Sequence, residues 1–106
     1  MNPETLLQNK IRVALSQKGA IPYRMNVGQF YTQNFTPIKI GIDGTPDLLI
    51  ICPNGKVLWY ELKTATGKLR HDQEIFHHQL SLLNHLVFTV RSVDEAIQIY
   101  DKYGAA

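Results

Sequence analysis

The chain has almost no cysteine. Cys52 is the only one in 106 residues, which excludes an intrachain disulfide and any zinc site built on cysteine pairs. Cys52 lies inside an apolar segment and reads as a small buried residue. Long apolar runs are missing too: no stretch approaches the roughly 20 residues of a membrane-spanning helix. No internal repeat or low-complexity segment is visible. Charge of one sign is scarce. Eleven Lys and Arg against nine Asp and Glu leave a formal net charge of +2, which taken alone is a weak nucleic-acid signal. The N-terminus opens with Asn2-Pro3-Glu4, a helix start rather than a secretory leader, so a cytoplasmic setting is expected.

The residues that are present, 44% of them hydrophobic, suit a modest core in one domain spanning 1–106. Asn2 is placed to cap a helix with Pro3 at its first position. Leu7, Ile11, Ala14 and Leu15 follow as an apolar stripe, and Gly19 ends it. Residues 23–35 are polar and aromatic and read as a strand or an irregular hairpin. Residues 38–42 alternate as a strand does. Segments 47–52 and 57–62 are apolar on both faces, which predicts a hairpin covered on both sides. Ile75, Phe76, Gln79, Leu80 and Leu83 recur at helical spacing over 71–84. Residues 86–90 read as a buried strand. Ser92-Val-Asp-Glu95 is a capping box opening a last helix that buries Ala96, Ile97 and Tyr100. The step from 57 to 90 is long enough for a parallel crossover, so a mixed sheet flanked by helices is expected.

Three charges stand at the ends of the apolar hairpin: Asp47, Glu61 and Lys63. Charges there are costly unless paired, hydrated or bound to a metal. Between the segments, Pro53-Asn54-Gly55 suits a three-residue loop, with Pro at the second turn position and Gly55 in the left-handed bulge. That loop sets Cys52 opposite Lys56 and Asp47 opposite Glu61, with Lys63 on the same face. A two-residue Asn54-Gly55 loop is the competitor. It would keep Pro53 in the ladder with no N–H to give, and would send Glu61 to the other face. Two carboxylates and an amine on one face are the minimum set for metal-assisted phosphodiester hydrolysis. The plainer reading is a capping Asp47 with a surface Glu61–Lys63 ion pair.

These residues resemble the VRR-NUC family of the PD-(D/E)xK, restriction-endonuclease-like superfamily. The matching text is Arg24-Met-Asn26-Val-Gly28, Gly44-Thr-Pro-Asp47-Leu-Leu, Glu61-Leu-Lys63-Thr, Gly67-Lys-Leu69, Gln73 and Val90-Arg91-Ser92 with Asp94. The resemblance implies an α/β fold with a restriction-endonuclease-like core, a mixed β-sheet flanked by helices in the order αβββαβα. It implies a Mg2+- or Mn2+-dependent, structure-selective DNA endonuclease acting on branched DNA such as four-way (Holliday) junctions, working as a homodimer in a bacterial or phage-infected cell. Asp47, Glu61, Lys63 and Gln73 would be catalytic. Glu4, Asp47, Glu61 and the backbone carbonyl of Leu62 would hold the metal. Arg24 and Asn26 would face DNA. From position alone, Lys68 and Arg70 lie just beyond the hairpin end, within reach of a phosphate backbone, and His77, one turn after Gln73, is placed to face DNA or the site. The position three before Gln73 is commonly a capping Ser; here it is Arg70, which has no acceptor, and Asp72 is placed to compensate.

Some of these residues also have simpler readings. Glu4 in a first helical turn is favoured by the helix dipole alone. Lys68 and Arg70 suit a solvated loop. His71, His77, His78 and His85 include no i,i+4 pair, which disfavours zinc, and a solvated or core histidine is the plainer account of His77. The alternative function is a catalytically silent nucleic-acid-binding module of the same fold; a domain with coincidental charges is a third.

Overall fold

The computed structural model describes residues 1–106. Helix α1 spans Pro3–Gln17, and Asn2 caps it by accepting from Thr5 N at 2.7 Å. Strands β1 (Ile21–Arg24), β2 (Gly28–Tyr31), β3 (Pro37–Ile40), β4 (Leu48–Ile51) and β5 (Val57–Leu62) follow. Helix α2 (His71–Leu82), strand β6 (Leu86–Val90) and helix α3 (Val93–Tyr103) complete the chain. β1, β4, β5 and β6 form one sheet in that order, with β5 and β6 parallel and the other pairs antiparallel. β2 and β3 form a separate two-stranded sheet. With that hairpin set aside, the order is the expected αβββαβα. The first strand is β1, however, and the strand expected at 38–42 belongs to the separate hairpin.

The turn at Pro53–Gly55 is the three-residue loop. Cys52 N donates to Lys56 O at 2.9 Å, Gly55 N donates to Cys52 O at 3.0 Å, and Gly55 has φ +85°. Leu48 therefore faces Tyr60, and the register continues to Asp47 opposite Glu61. One sheet face carries Leu48, Ile50, Leu58, Tyr60, Leu62 and Val90, all buried against Ile11 and Leu15 of α1 and Ala96 and Tyr100 of α3. Fully burying each large side chain contributes about 1.5–3 kcal/mol. Tyr60 lies in this core because its hydroxyl donates to Ala96 O at 2.7 Å. Cys52 is buried, its thiol pushed up by desolvation, and it is packed so close to Gly104 that a Cβ there would lie 2.5 Å from its Sγ.

The other sheet face, carrying Trp59, Glu61 and Lys63, faces α2. Cover on this side is thinner than expected. Val57 and Trp59 are half-buried, and Ile51 is exposed. Of the α2 stripe only Leu80 is buried; Phe76 is half-buried against Trp59, and Ile75 and Leu83 are exposed. The reason lies in the sheet: its α2 face ends in charged residues, so α2 has only a narrow apolar seam to pack on. β6 is less buried than expected, with Val90 alone fully covered. Helix α2 also ends earlier than its periodicity suggests. Asn84 adopts φ +64°, and Asn84 N and His85 N turn back to Ser81 O and Leu80 O. Gly19, at φ +95°, ends α1 with the same Schellman pattern. At α3, Ser92 Oγ accepts from Glu95 N at 3.1 Å, but Glu95 returns to Arg91 N rather than to Ser92 N. The box is thus one residue wider than the sequence suggests.

Gly44 ties the segment before β4 to α2. It has φ +90°, and a Cβ there would clash with the backbone oxygen of Asp72. Gly55, at φ +85°, has nothing within 4 Å of such a Cβ. Gly44→Ala should therefore cost about 2 kcal/mol or more, from left-handed strain plus overpacking against backbone. Gly55→Ala should cost only about 1–2 kcal/mol, from the strain alone. Urea melts of the two variants check this, and equal losses would show that the Gly44–α2 contact is not tight.

Candidate metal and phosphodiester site

The site forms where β4 begins and β5 ends. Asp47 lies in the bend before β4, and its backbone oxygen accepts from Met25 N at 2.9 Å. Its Oδ2 accepts from Leu62 N at 2.7 Å, which fixes the carboxylate across the strand pair. Leu62 thus contributes its N–H to the site. Glu61 is only 1% exposed, and its carboxyl lies within hydrogen-bonding reach of Asp47. Burial first, then the hydrogen bond and charge of Asp47, push the Glu61 carboxyl up to about 9; the charges of Lys63 and Arg70 oppose the shift.

His77 closes the far side of Glu61, its Nε2 standing 3.2 Å from Glu61 Oε1. Desolvation and the charge of Lys63 lower the imidazole, and Asp47 partly offsets this. Near neutral pH both groups are uncharged without a metal, so this is a neutral hydrogen bond rather than an ion pair. His77 therefore touches the acid itself, where the plainer sequence reading was a solvated or core histidine. Its position one turn after Gln73 was the available signal. Lys63 is buried, its backbone N donates to Val90 O at 3.0 Å, and its ammonium joins none of the ion pairs of the chain.

Gln73 is buried in the first turn of α2. Its Oε1 accepts from Arg70 N at 2.9 Å, and its own N–H goes to Asp72 Oδ1 at 3.0 Å. Asp72 does replace the missing cap, because the Arg70 guanidinium offers no acceptor; it pairs instead with Asp72 at 3.2 Å. Glu4 and Asp47 line two clefts together, one also walled by Arg24 and Thr64, the other by Gly44 and Gln73. Glu4 belongs to a helix on the opposite sheet face and meets Asp47 around the end of the sheet. No three His, Cys, Asp or Glu side chains are gathered closely enough to hold a metal between them. Asn26, Lys68, His71 and His78 are exposed, and Asn26 lines neither cleft. His85 has a structural task, its Nδ1 accepting from Trp59 Nε1 at 3.2 Å.

The donor chemistry fits a hard divalent cation. Half-buried Asp47 and buried Glu61 converge here, and Mg2+ is commonly held by one or two carboxylates with water and phosphate completing its shell. A preassembled third ligand is not needed for that arrangement.

A solved structure described as a VRR_NUC domain superposes on 97% of this chain and 99% of its own, with a TM-score of 0.74 and 21% sequence identity. The chain has a VRR_NUC domain fold. Sequence comparison by itself finds no matching family and no matching curated relative. The VRR_NUC likeness therefore lies in the shared arrangement of sheet and helices.

Glu61 makes stability depend on pH. Its folded pKa lies above its unfolded value, so its contribution is fully present below about pH 4.5 and is lost as pH rises toward 9. His77 acts in the opposite sense, but only as pH falls below 6.5. In EDTA, stability should therefore decline between pH 7 and 8.5, by at most about 1.4 kcal/mol per pH unit. Glu61→Gln should flatten that decline. Parallel denaturation profiles for wild type and variant would show that Glu61 is not the source.

Proposed function

We propose that this protein is a metal-dependent endodeoxyribonuclease. The observation that carries the reading is the buried Glu61 carboxyl set against Asp47, with the unpaired Lys63 ammonium on the same sheet face. Asp47, oriented by Leu62 N–H, and Glu61, steadied by His77, would hold Mg2+ or Mn2+, with Glu4 and the Leu62 carbonyl as further oxygen donors. The cation supplies Lewis acidity to the phosphate and makes water more acidic. Lys63 orients the attacking water and offsets negative charge growing on the phosphate in the transition state. Gln73 keeps the start of α2 in place beside the cleft. Arg24, Asn26, Lys68 and Arg70 contact the DNA backbone, and His77 acts through Glu61 rather than on DNA.

Preference for branched DNA such as a four-way junction, a homodimer and a role in DNA repair rest on the resemblance to stand-alone VRR-NUC proteins, and a cytoplasmic setting rests on the reading of the N-terminal residues. A junction takes two opposed cuts, which a two-fold dimer supplies. No helix is long and apolar enough to cross a membrane.

The deciding experiment compares junction, flap and linear DNA side by side, with Mg2+, Mn2+ or EDTA. Cleavage should require the metal and should disappear in Asp47→Asn and Glu61→Gln, both still folded. Lys63→Ala should lose about a hundredfold or more in kcat with little change in DNA affinity. Tight DNA binding without cleavage under any metal would establish a silent binding module instead.

Glu4 has its own test. As a ligand, Glu4→Gln should raise the magnesium concentration needed for half-maximal cleavage while changing stability by less than about 1 kcal/mol. Superimposable magnesium titrations for wild type and variant would reduce Glu4 to a helix-dipole partner.

A further inference from the structure

Arg91 follows the last residue of β6 and adjoins Lys63, whose backbone N is bound to Val90 O at 3.0 Å. Its Nη1 donates to two carbonyls of the loop after Lys63, Thr64 O at 2.6 Å and Gly67 O at 2.7 Å. Thr64 in turn lines the cleft shared by Asp47, Glu4 and Arg24. The guanidinium is thus held at the rim of the site by neutral acceptors alone. Glu95 is occupied with the backbone N of Arg91 at 3.0 Å, and no ion pair of the chain includes Arg91. The charge is not neutralised, and the residue is exposed.

A guanidinium has five N–H donors. The two on Nη1 are used, and the edge formed by Nε and Nη2 makes no hydrogen bond within the protein. That edge carries two parallel N–H bonds, the geometry that takes a phosphate in bidentate fashion. The two carbonyls have already restricted the long side chain, so little further freedom is lost on binding.

We propose that Arg91 is a fixed phosphate-binding residue of this site, taking a DNA backbone phosphate beside the one that is cut. This rests on the nuclease reading above. A purely structural role, holding the 64–67 turn against β6, is the competing account.

The test measures binding of the full chain to labelled duplex and four-way DNA in EDTA, from roughly 50 to 200 mM KCl, alongside thermal melts. Arg91→Gln keeps an amide for the two carbonyls and removes the charge; Arg91→Lys keeps the charge and removes the fork. Arg91→Gln should bind DNA about three- to tenfold more weakly, and its slope of log affinity against log salt should be shallower by about 0.9, one phosphate contact. Arg91→Lys should keep the wild-type slope with reduced affinity. Wild-type affinity and slope in Arg91→Gln would overturn the proposal and leave the nuclease reading intact. Equal losses in both variants, matched by equal losses in melting temperature, would make Arg91 a structural clamp only. A wild-type protein that binds neither DNA would overturn both readings.

Discussion

The β4–β5 hairpin has one pairing register that keeps its charges out of the core. Because side chains alternate, a slip of one residue would turn Glu61 and Lys63 toward α1 and α3 and lift Leu58, Tyr60 and Leu62 onto the α2 side. Burying two charges among Ile11, Leu15 and Ala96 without partners would cost several kcal/mol, more than most single contacts contribute. The Pro53–Gly55 turn enforces the same register from the other end. The bond from Leu62 N to Asp47 Oδ2 then locks the carboxylate end of the hairpin. Turn chemistry, core patterning and site geometry all depend on this single pairing.

The same register explains why the α2 side is loosely covered. A sheet face that ends in Glu61 and Lys63 offers a helix little apolar area, so α2 keeps Ile75, Leu82 and Leu83 exposed. It is held instead by Gln73 at its start, Leu80 in its middle and the contact of His77 with Glu61. Packing energy is given up on this face, and an acidic group that burial keeps proton-loaded is the result. A binding event that lets Glu61 ionise would recover part of that cost, which couples ligand binding to stability.

Much of this was readable from local chemistry. A Pro-Asn-Gly turn has few geometries, and helix starts such as Asn2-Pro3 and Ser92-Val-Asp-Glu95 are made by nearest neighbours. The charges at the hairpin ends were visible because they break an apolar pattern. What was not legible depends on distant residues. The partner of His77 is sixteen positions earlier, and Arg91 reaches carbonyls 24 and 27 positions away. Periodicity placed Ile75 and Leu83 on one stripe, and it reports which face is apolar, not whether anything lies against it. The split of residues 23–42 into β1 and a separate hairpin was hidden for the same reason, since Ile38 and Ile40 alternate as core residues do yet remain exposed. The position of Glu4, on the far side of the sheet from Glu61, likewise followed from layer order and not from spacing.

The β2–β3 hairpin leaves and rejoins the fold beside the cleft. Met25 on one side and Thr45 on the other both line it with Asp47, and Met25 N is bound to Asp47 O. Its strands pair with each other and with no strand of the main sheet. The hairpin can therefore lengthen, shorten or change its tip without altering the pairing that holds Asp47 and Glu61. Such an arrangement separates two kinds of change in descent: the two carboxylates stay fixed by the sheet, while the shape presented next to them is free to vary.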